Sequence, residues 1–455
     1  MSLTFAECNN YTNILRAELV PAMGCTEPIA VAYAAAKAGD VLREKATHLN
    51  VRCSGNIIKN VKGVTVPNSG NQKGIEVAAT LGLIGGKSEK ELEVIADVTD
   101  DDRKMAGEMV AAGFCEVELE EGVPNLYIRA TATGENHTAT VLIEDTHTNI
   151  TFVSRDGETL LETHKTIEDN EPVEDVIGEI SCSLHLDPSD RRKTNKLDYS
   201  KMSLRGILEY AETVNINCVR PILDRQIECN TAISDEGLKN DWGVRVGKTF
   251  LENWPNDVKT RACARAAAGS DARMSGCPLP VVINSGSGNQ GITVTMPVLT
   301  YAEEWNIPEE KMLRALLISN LVSIYIKHYI GALSAFCGAV SAATAAGAAI
   351  TYMSGGDINA IGRTITNTLG NVGGIVCDGA KPSCAAKIAS SVHAALMAHY
   401  MSVSDHEFKG GEGFIEDDVE KTIKNMGYIG KVGMKETDIE ILNVMIDKVD
   451  VDKEL

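Results

Sequence analysis

The chain has 455 residues, 44% hydrophobic and 23% charged, with a formal net charge of −20. That length exceeds one ordinary hydrophobic core and predicts more than one domain. So acidic a chain repels phosphate backbones and anionic lipid, which makes nucleic acid and membrane poor partners.

Aromatic residues make up only 5%, while glycine reaches 40 residues. This favours small-residue helices over an aromatic-rich β-sandwich. Residues up to about Asp40 read as helical, ending in AVAYAAAKAGDVL, which is rich in helix formers. HLNVRCSGNIIKNVKGVTVP alternates β-branched and polar residues between glycines and reads as strands. Helix returns over about 74–112. From Phe114 to Leu161, CEVELE, LYIRATAT, TATVLIED and NITFVSRDG alternate between short polar turns, as in an antiparallel sheet.

The polar stretch 166–201 is the predicted domain junction. It divides an α+β domain (1–200) from a mainly helical domain (201–455) with Ala/Gly-rich core helices. Helices are expected over 204–214, 251–268, 309–329, 333–352, 357–369 and 385–401. ITVTMPV, after a glycine cluster, reads as a short strand. The apolar run from Ala315 to Met353 is broken by Lys327 and His328, and suits buried helices better than a membrane span. Small-residue helices also suit close packing across a homo-oligomer.

No secretory signal is visible, and there are twelve cysteines. The expected setting is the cytoplasm, where thiols persist as core residues, metal ligands or nucleophiles. Cys8, Cys53, Cys115, Cys182, Cys218, Cys229 and Cys263 sit in ordinary contexts and read as packed thiols. Cys337, Cys377 and Cys384 differ. The segment between the last two contains Gly379 and Pro382, so it turns and lets both thiols converge. Cys337 lies among small residues that allow close approach. Three such thiolates suit a [4Fe–4S] cluster with one open iron, a Lewis acid. Zinc remains an alternative, with His393 or His399 as fourth ligand.

Two loops echo each other, VPNSGNQKGI and INSGSGNQGI, by duplication or by chance. The second exposes backbone N–H groups and short polar side chains, as loops that cradle anions do. Ser285, Ser287, Asn289 and Gln290 are therefore candidate substrate-binding residues, a tight structural turn being the alternative. In SDARM, Asp271 and Arg273 are further candidates. Arg273 can pair bidentately with a carboxylate, or with Asp271 to fix the loop. Lys381 and Lys387 either offset cluster charge or face solvent.

GCTEP (24–28), SDARM (270–274), NSGSGNQGI (284–292) and CDGAKPSCAAK (377–387) together resemble the L-cysteine desulfidase family. That family is related to the catalytic part of bacterial iron–sulfur L-serine dehydratases. The resemblance implies a cluster on Cys337, Cys377 and Cys384, and conversion of L-cysteine to pyruvate, ammonia and hydrogen sulfide. It marks Cys25 as a catalytic thiol. Cys25 precedes a helix-forming segment, and a helix N-terminus lowers a thiol pKa, so Cys25 is expected as general base, ahead of Glu27. L-Serine is the alternative substrate. A non-catalytic metal-binding protein is the alternative of a different class.

Overall fold

A computed structural model describes residues 3–163, 197–331 and 333–454. Residues 166–196 of the predicted junction, and Cys182, lie outside the described residues.

Helix α1 (Phe5–Glu18) begins at a capping box, in which the Thr4 hydroxyl accepts from the Glu7 N–H and Glu7 bonds back to Thr4. Strand β1 (Pro21–Met23) and helix α2 (Thr26–Leu42) follow, then β2 (His48–Cys53), α3 (Gly55–Val61), α4 (Ile75–Gly85) and α5 (Asp100–Ala111). Strands β3 (Cys115–Leu119), β4 (Tyr127–Thr133), β5 (Thr138–Glu144), β6 (Ile150–Arg155) and β7 (Glu158–Glu162) complete a sheet of order β3-β2-β4-β5-β6-β7. The expected antiparallel meander is present from β4 to β7. Strand β3 instead joins β2 in parallel, and α3 to α5 supply the long connection such a pair needs.

The strand expectation for GNIIKNV fails. The Ser54 hydroxyl accepts from the Ile57 N–H and starts α3, whose Ile57 and Val61 turn inward.

The helical part comprises α6 (Leu204–Thr213), α7 (Arg220–Lys239), α8 (Val246–Asn253), α9 (Val258–Met274), a short strand β8 (Pro280–Val282), α10 (Gly288–Glu304) and α11 (Glu309–Ile330). It continues with α12 (Gly338–Met353), α13 (Ile358–Val372), α14 (Ser383–Val403), α15 (Val419–Tyr428) and α16 (Lys435–Met445). The fold class is α+β, as expected. Helix α7 was not foreseen, and ITVTMPV is not a strand but the middle of α10. Its Thr293, Thr295 and Thr300 hydroxyls bond back to the carbonyls four residues earlier. Packing among α7, α9, α11 and α12 overrides the β propensity of the segment.

Small residues let the helices approach closely. A Cβ on Gly237 of α7 would lie 2.0 Å from the Ala268 carbonyl oxygen of α9. Among the described residues no helix is long and apolar enough to cross a membrane. Helix α1 packs against α6 and α11, and β1 pairs antiparallel with β8. The first residues of the chain are thus built into the helical part.

Candidate active site

Strands β1 and β8 each feed a loop that opens a helix. After β1, Gly24 adopts φ +50° against Pro67, where a Cβ would lie 2.0 Å from the proline ring. Pro67 belongs to the first of the two echoed loops, which therefore backs the GCTEP turn. After β8, Ser285 and Gly286 both have positive φ, and the Ser287 hydroxyl caps α10. The Thr26 hydroxyl donates to the Gly286 carbonyl at 2.9 Å and ties the two loops together.

Both loops border a cavity of about 1260 Å³. Its walls include Cys25, Glu27, Arg273, Ser285, Ser287, Asn289, Gln290, Cys337, Cys377 and Cys384. Asp271 is the one predicted site residue that the structure turns away. Its carboxylate accepts the Gly247 N–H at 3.0 Å, and so holds the start of α8. Burial raises it to about 6, against backbone N–H groups that lower it.

Cys25 stands at the N-cap of α2 with no capping bond, and its thiol donates to Glu27 Oε2 at 3.0 Å. The lowered thiol pKa expected from the helix terminus does not hold. Burial and the Glu27 carboxylate push the thiol well up, and Arg273 only partly opposes them. Glu27 behaves the other way. Burial raises it, but His147, the Cys25 thiol and Arg273 together hold it below the usual carboxylate range. Asn60 donates to the same carboxylate at 3.1 Å, and the Thr26 hydroxyl, whose one proton is shared with the Gly286 carbonyl, lies 3.0 Å from it. Glu27 is therefore the ionised member of the pair and Cys25 the protonated one.

Arg273 is 2% exposed and makes no hydrogen bond or ion pair among the described residues. Glu27 and His147 sit within its field but outside ion-pair contact. Gly288 makes room for it: a Cβ there would lie 2.3 Å from Arg273 Nε. The side-chain amide oxygens of Asn289 and Gln290 are also buried without partners among the described residues. Ser285 donates to Asn284, which bonds in turn to Asn320 and Ser323, so a buried amide network fixes the loop from behind.

A short antiparallel bridge between Phe336 and Val376 sets Cys337 and Cys377 side by side. The Cys337 N–H donates to Ile375 at 3.0 Å and the Cys377 N–H to Ala335 at 2.6 Å. A hydrogen bond from the Cys337 thiol lowers Cys377 to about 6, aided by Lys59 and Lys327. The same bond raises Cys337. The Cys384 thiol, at the start of α14, faces the Gly379 carbonyl at 3.7 Å, and burial raises it. Among the described residues no three His, Cys, Asp or Glu side chains enclose a single metal ion. An iron–sulfur cluster asks for something else, with its thiolates spread over separate irons. Three thiols on one cavity wall, one of them a thiolate at neutral pH, fit that donor set.

Neither histidine considered for zinc reaches the cavity. His393 is exposed, and His399 bonds to the Thr351 hydroxyl within the helical core. Lys381 and Lys387 both pair with Asp378 and brace the cysteine loop.

Four cavity residues escaped the sequence reading. His147 sits in the polar turn between β5 and β6, where nothing distinguishes it from a solvated loop residue. Lys59 and Asn60 lie on the helix taken for a strand. Lys327 carried a signal, since it interrupts a long apolar run. It is 6% exposed with no bonded partner among the described residues, and burial lowers its pKa.

A family model described as serine dehydratase alpha chain matches residues 89–443. A UPF0597 protein of Finegoldia magna is 47% identical over 440 residues, 96% of this chain and 100% of its own. Another, of Lachnoclostridium phytofermentans, is 50% identical over 436 residues, 96% of this chain and 99% of its own. A third, of Treponema denticola, is 43% identical over 451 residues, covering 98% and 100%.

Proposed function

The chain belongs to the serine dehydratase alpha chain family, and from that premise we propose that its cavity eliminates the β-substituent of a small α-amino acid. L-Cysteine is the proposed substrate, and pyruvate, ammonia and hydrogen sulfide are the products. The observation that carries this reading is the buried Arg273 guanidinium, unpaired among the described residues, on the same wall as the ionised Glu27. A buried cation with no carboxylate in ion-pair contact is costly, and a substrate carboxylate supplies the bidentate partner it lacks.

Glu27 then accepts the Cα proton. Cys25 and Asn60 hold its carboxylate in place. A [4Fe–4S] cluster held by Cys337, Cys377 and Cys384 would supply Lewis-acid activation of the leaving group. Loss of the proton and the β-substituent leaves an aminoacrylate, which tautomerises to an imine and hydrolyses in water. Lys59 and Lys327 lie beside Cys377, and Lys327 also beside Cys337, which suits an anionic group there.

L-Serine is the second reading, favoured by the description of the matching family model. Protein reconstituted anaerobically with iron and sulfide is assayed on both substrates for pyruvate and on cysteine for sulfide. Equimolar pyruvate and sulfide from L-cysteine, at a higher kcat/KM than L-serine, is the expected result. A higher value for L-serine would replace desulfidation by dehydration. No pyruvate from either would remove the elimination chemistry itself.

A further inference from the structure

Glu18, the last residue of α1, lies on the wall of the same cavity. The Tyr199 hydroxyl donates to its Oε1 at 2.6 Å, and the Ser285 N–H faces the carboxylate. Tyr199 is itself stacked on the His328 ring, 5.4 Å between centroids and 8° from parallel. Burial raises the Glu18 pKa, the Tyr199 and Ser285 bonds only partly oppose it, and no cation pairs with it among the described residues, so a cationic group arriving in the cavity would favour its ionised form. Packing of α1 against α6 and α11 fixes the end of this helix at the cavity.

Arg273 shows the opposite imbalance. The two charges flank one loop, with the Ser285 N–H at Glu18 and Gly288 against Arg273. Three residue steps separate Ser285 from Gly288, at most about 11 Å of backbone. A cavity lined by a carboxylate and a guanidinium, neither with an ion-pair partner among the described residues, complements a zwitterion. The amide oxygens of Asn289 and Gln290 can accept from an ammonium group, but only a carboxylate balances its charge.

We propose that Glu18 binds the substrate α-ammonium, so that Glu18 and Arg273 together select a free α-amino acid over molecules with only one of its charged groups. The proposal rests on the elimination reading above. Tyr199 is the positioning residue for Glu18. Blocked amino acids and peptides that carry an acylated amine are excluded by the same pairing.

The test uses the reconstituted holoenzyme, wild type and Glu18→Gln, with L-cysteine as substrate. The desamino analogue 3-mercaptopropionate and the decarboxy analogue cysteamine are the competing inhibitors. In Glu18→Gln, KM for L-cysteine is expected to rise at least tenfold with a smaller change in kcat, and inhibition by cysteamine to weaken in parallel. Inhibition by 3-mercaptopropionate is expected to stay within about twofold, because that molecule never uses Glu18. An unchanged KM overturns the proposal, and so does an equal loss of both inhibitors, which would mean general damage to the pocket. Glu18→Asp, which keeps the charge, is expected to fall between wild type and Gln, and provides the measurement if the Gln variant does not fold. Wild type that turns over neither L-cysteine nor L-serine overturns the elimination reading, and this inference with it, before any variant is compared.

Discussion

At the scale of single residues, protonation states decide the roles. The thiol of Cys25 is held protonated by burial beside a carboxylate, while Glu27 stays ionised because His147, a thiol and Arg273 surround it. Glu27→Gln is expected to lower kcat by about 10²–10⁴, the usual range for a lost general base. The sign of the pH dependence follows from the lowered pKa. Glu27 is deprotonated and active above it, so the acid limb of kcat/KM should fall below the ordinary glutamate value of about 4.3. An acid limb near or above 6 would assign the proton transfer to another group. Cys377 offers a separate check. With Cys377 at about 6 and Cys337 and Cys384 raised, cluster-free protein at pH 7 should be alkylated by iodoacetamide first at Cys377. Peptide mapping by mass spectrometry reads the order, and equal labelling of the three thiols would contradict it.

At the scale of elements, the site depends on two strand–loop–helix units meeting at a two-stranded ribbon. The GCTEP turn and the NSGSGNQ loop are visible as sequence strings, and their candidate residues line one cavity, whereas Asp271 of SDARM does not. The element after the second loop was misread because its threonines and valines favour strands in isolation. Buried on all sides, α10 satisfies those hydroxyls on its own carbonyls, and this is invisible to a pattern based on one exposed face. Glycine positions mark where these units touch. A Cβ on Gly291 would lie 2.0 Å from the Val282 carbonyl oxygen, a backbone atom that β8 holds in place. Gly291→Ala should therefore cost about 1–3 kcal/mol from overpacking, seen as a lower denaturation midpoint. An unchanged midpoint would show that β8 shifts freely.

At the scale of the whole molecule, distant segments close the site from both ends of the chain. Helix α1 delivers Glu18, and α16 delivers Asp438 to Lys59, whose side chain is 2% exposed. Lys59 in turn lies beside Cys377, and the Gly379 turn packs on the Lys59 carbonyl, where a Cβ would lie 2.4 Å away. Asp438→Asn leaves a buried ammonium without its anion and should destabilise the protein by about 3–5 kcal/mol in denaturant titration. Lys59→Met combined with Asp438→Leu should recover much of that loss, since it removes both charges. A double variant no more stable than Asp438→Asn would mean that the pair is needed for shape and not only for charge balance.

The sequence by itself determined the α+β class, the antiparallel meander from β4 to β7, the small-residue helices and the family, because alternation, helix formers and short motifs are local properties. It also singled out three cysteines, an arginine and a glycine-rich loop whose chemistry follows from residue type. Only the tertiary structure decided the rest. It turned Asp271 away and reversed the expected pKa shift of Cys25. It brought in Glu18, His147 and Lys59 from segments with no distinguishing pattern, and placed at the cavity Lys327, which the sequence showed only as a break in an apolar run. The physical reason is common to all of these. Burial, charge neighbours and unpaired groups are properties of the environment that folding creates, and residues far apart in sequence set them together.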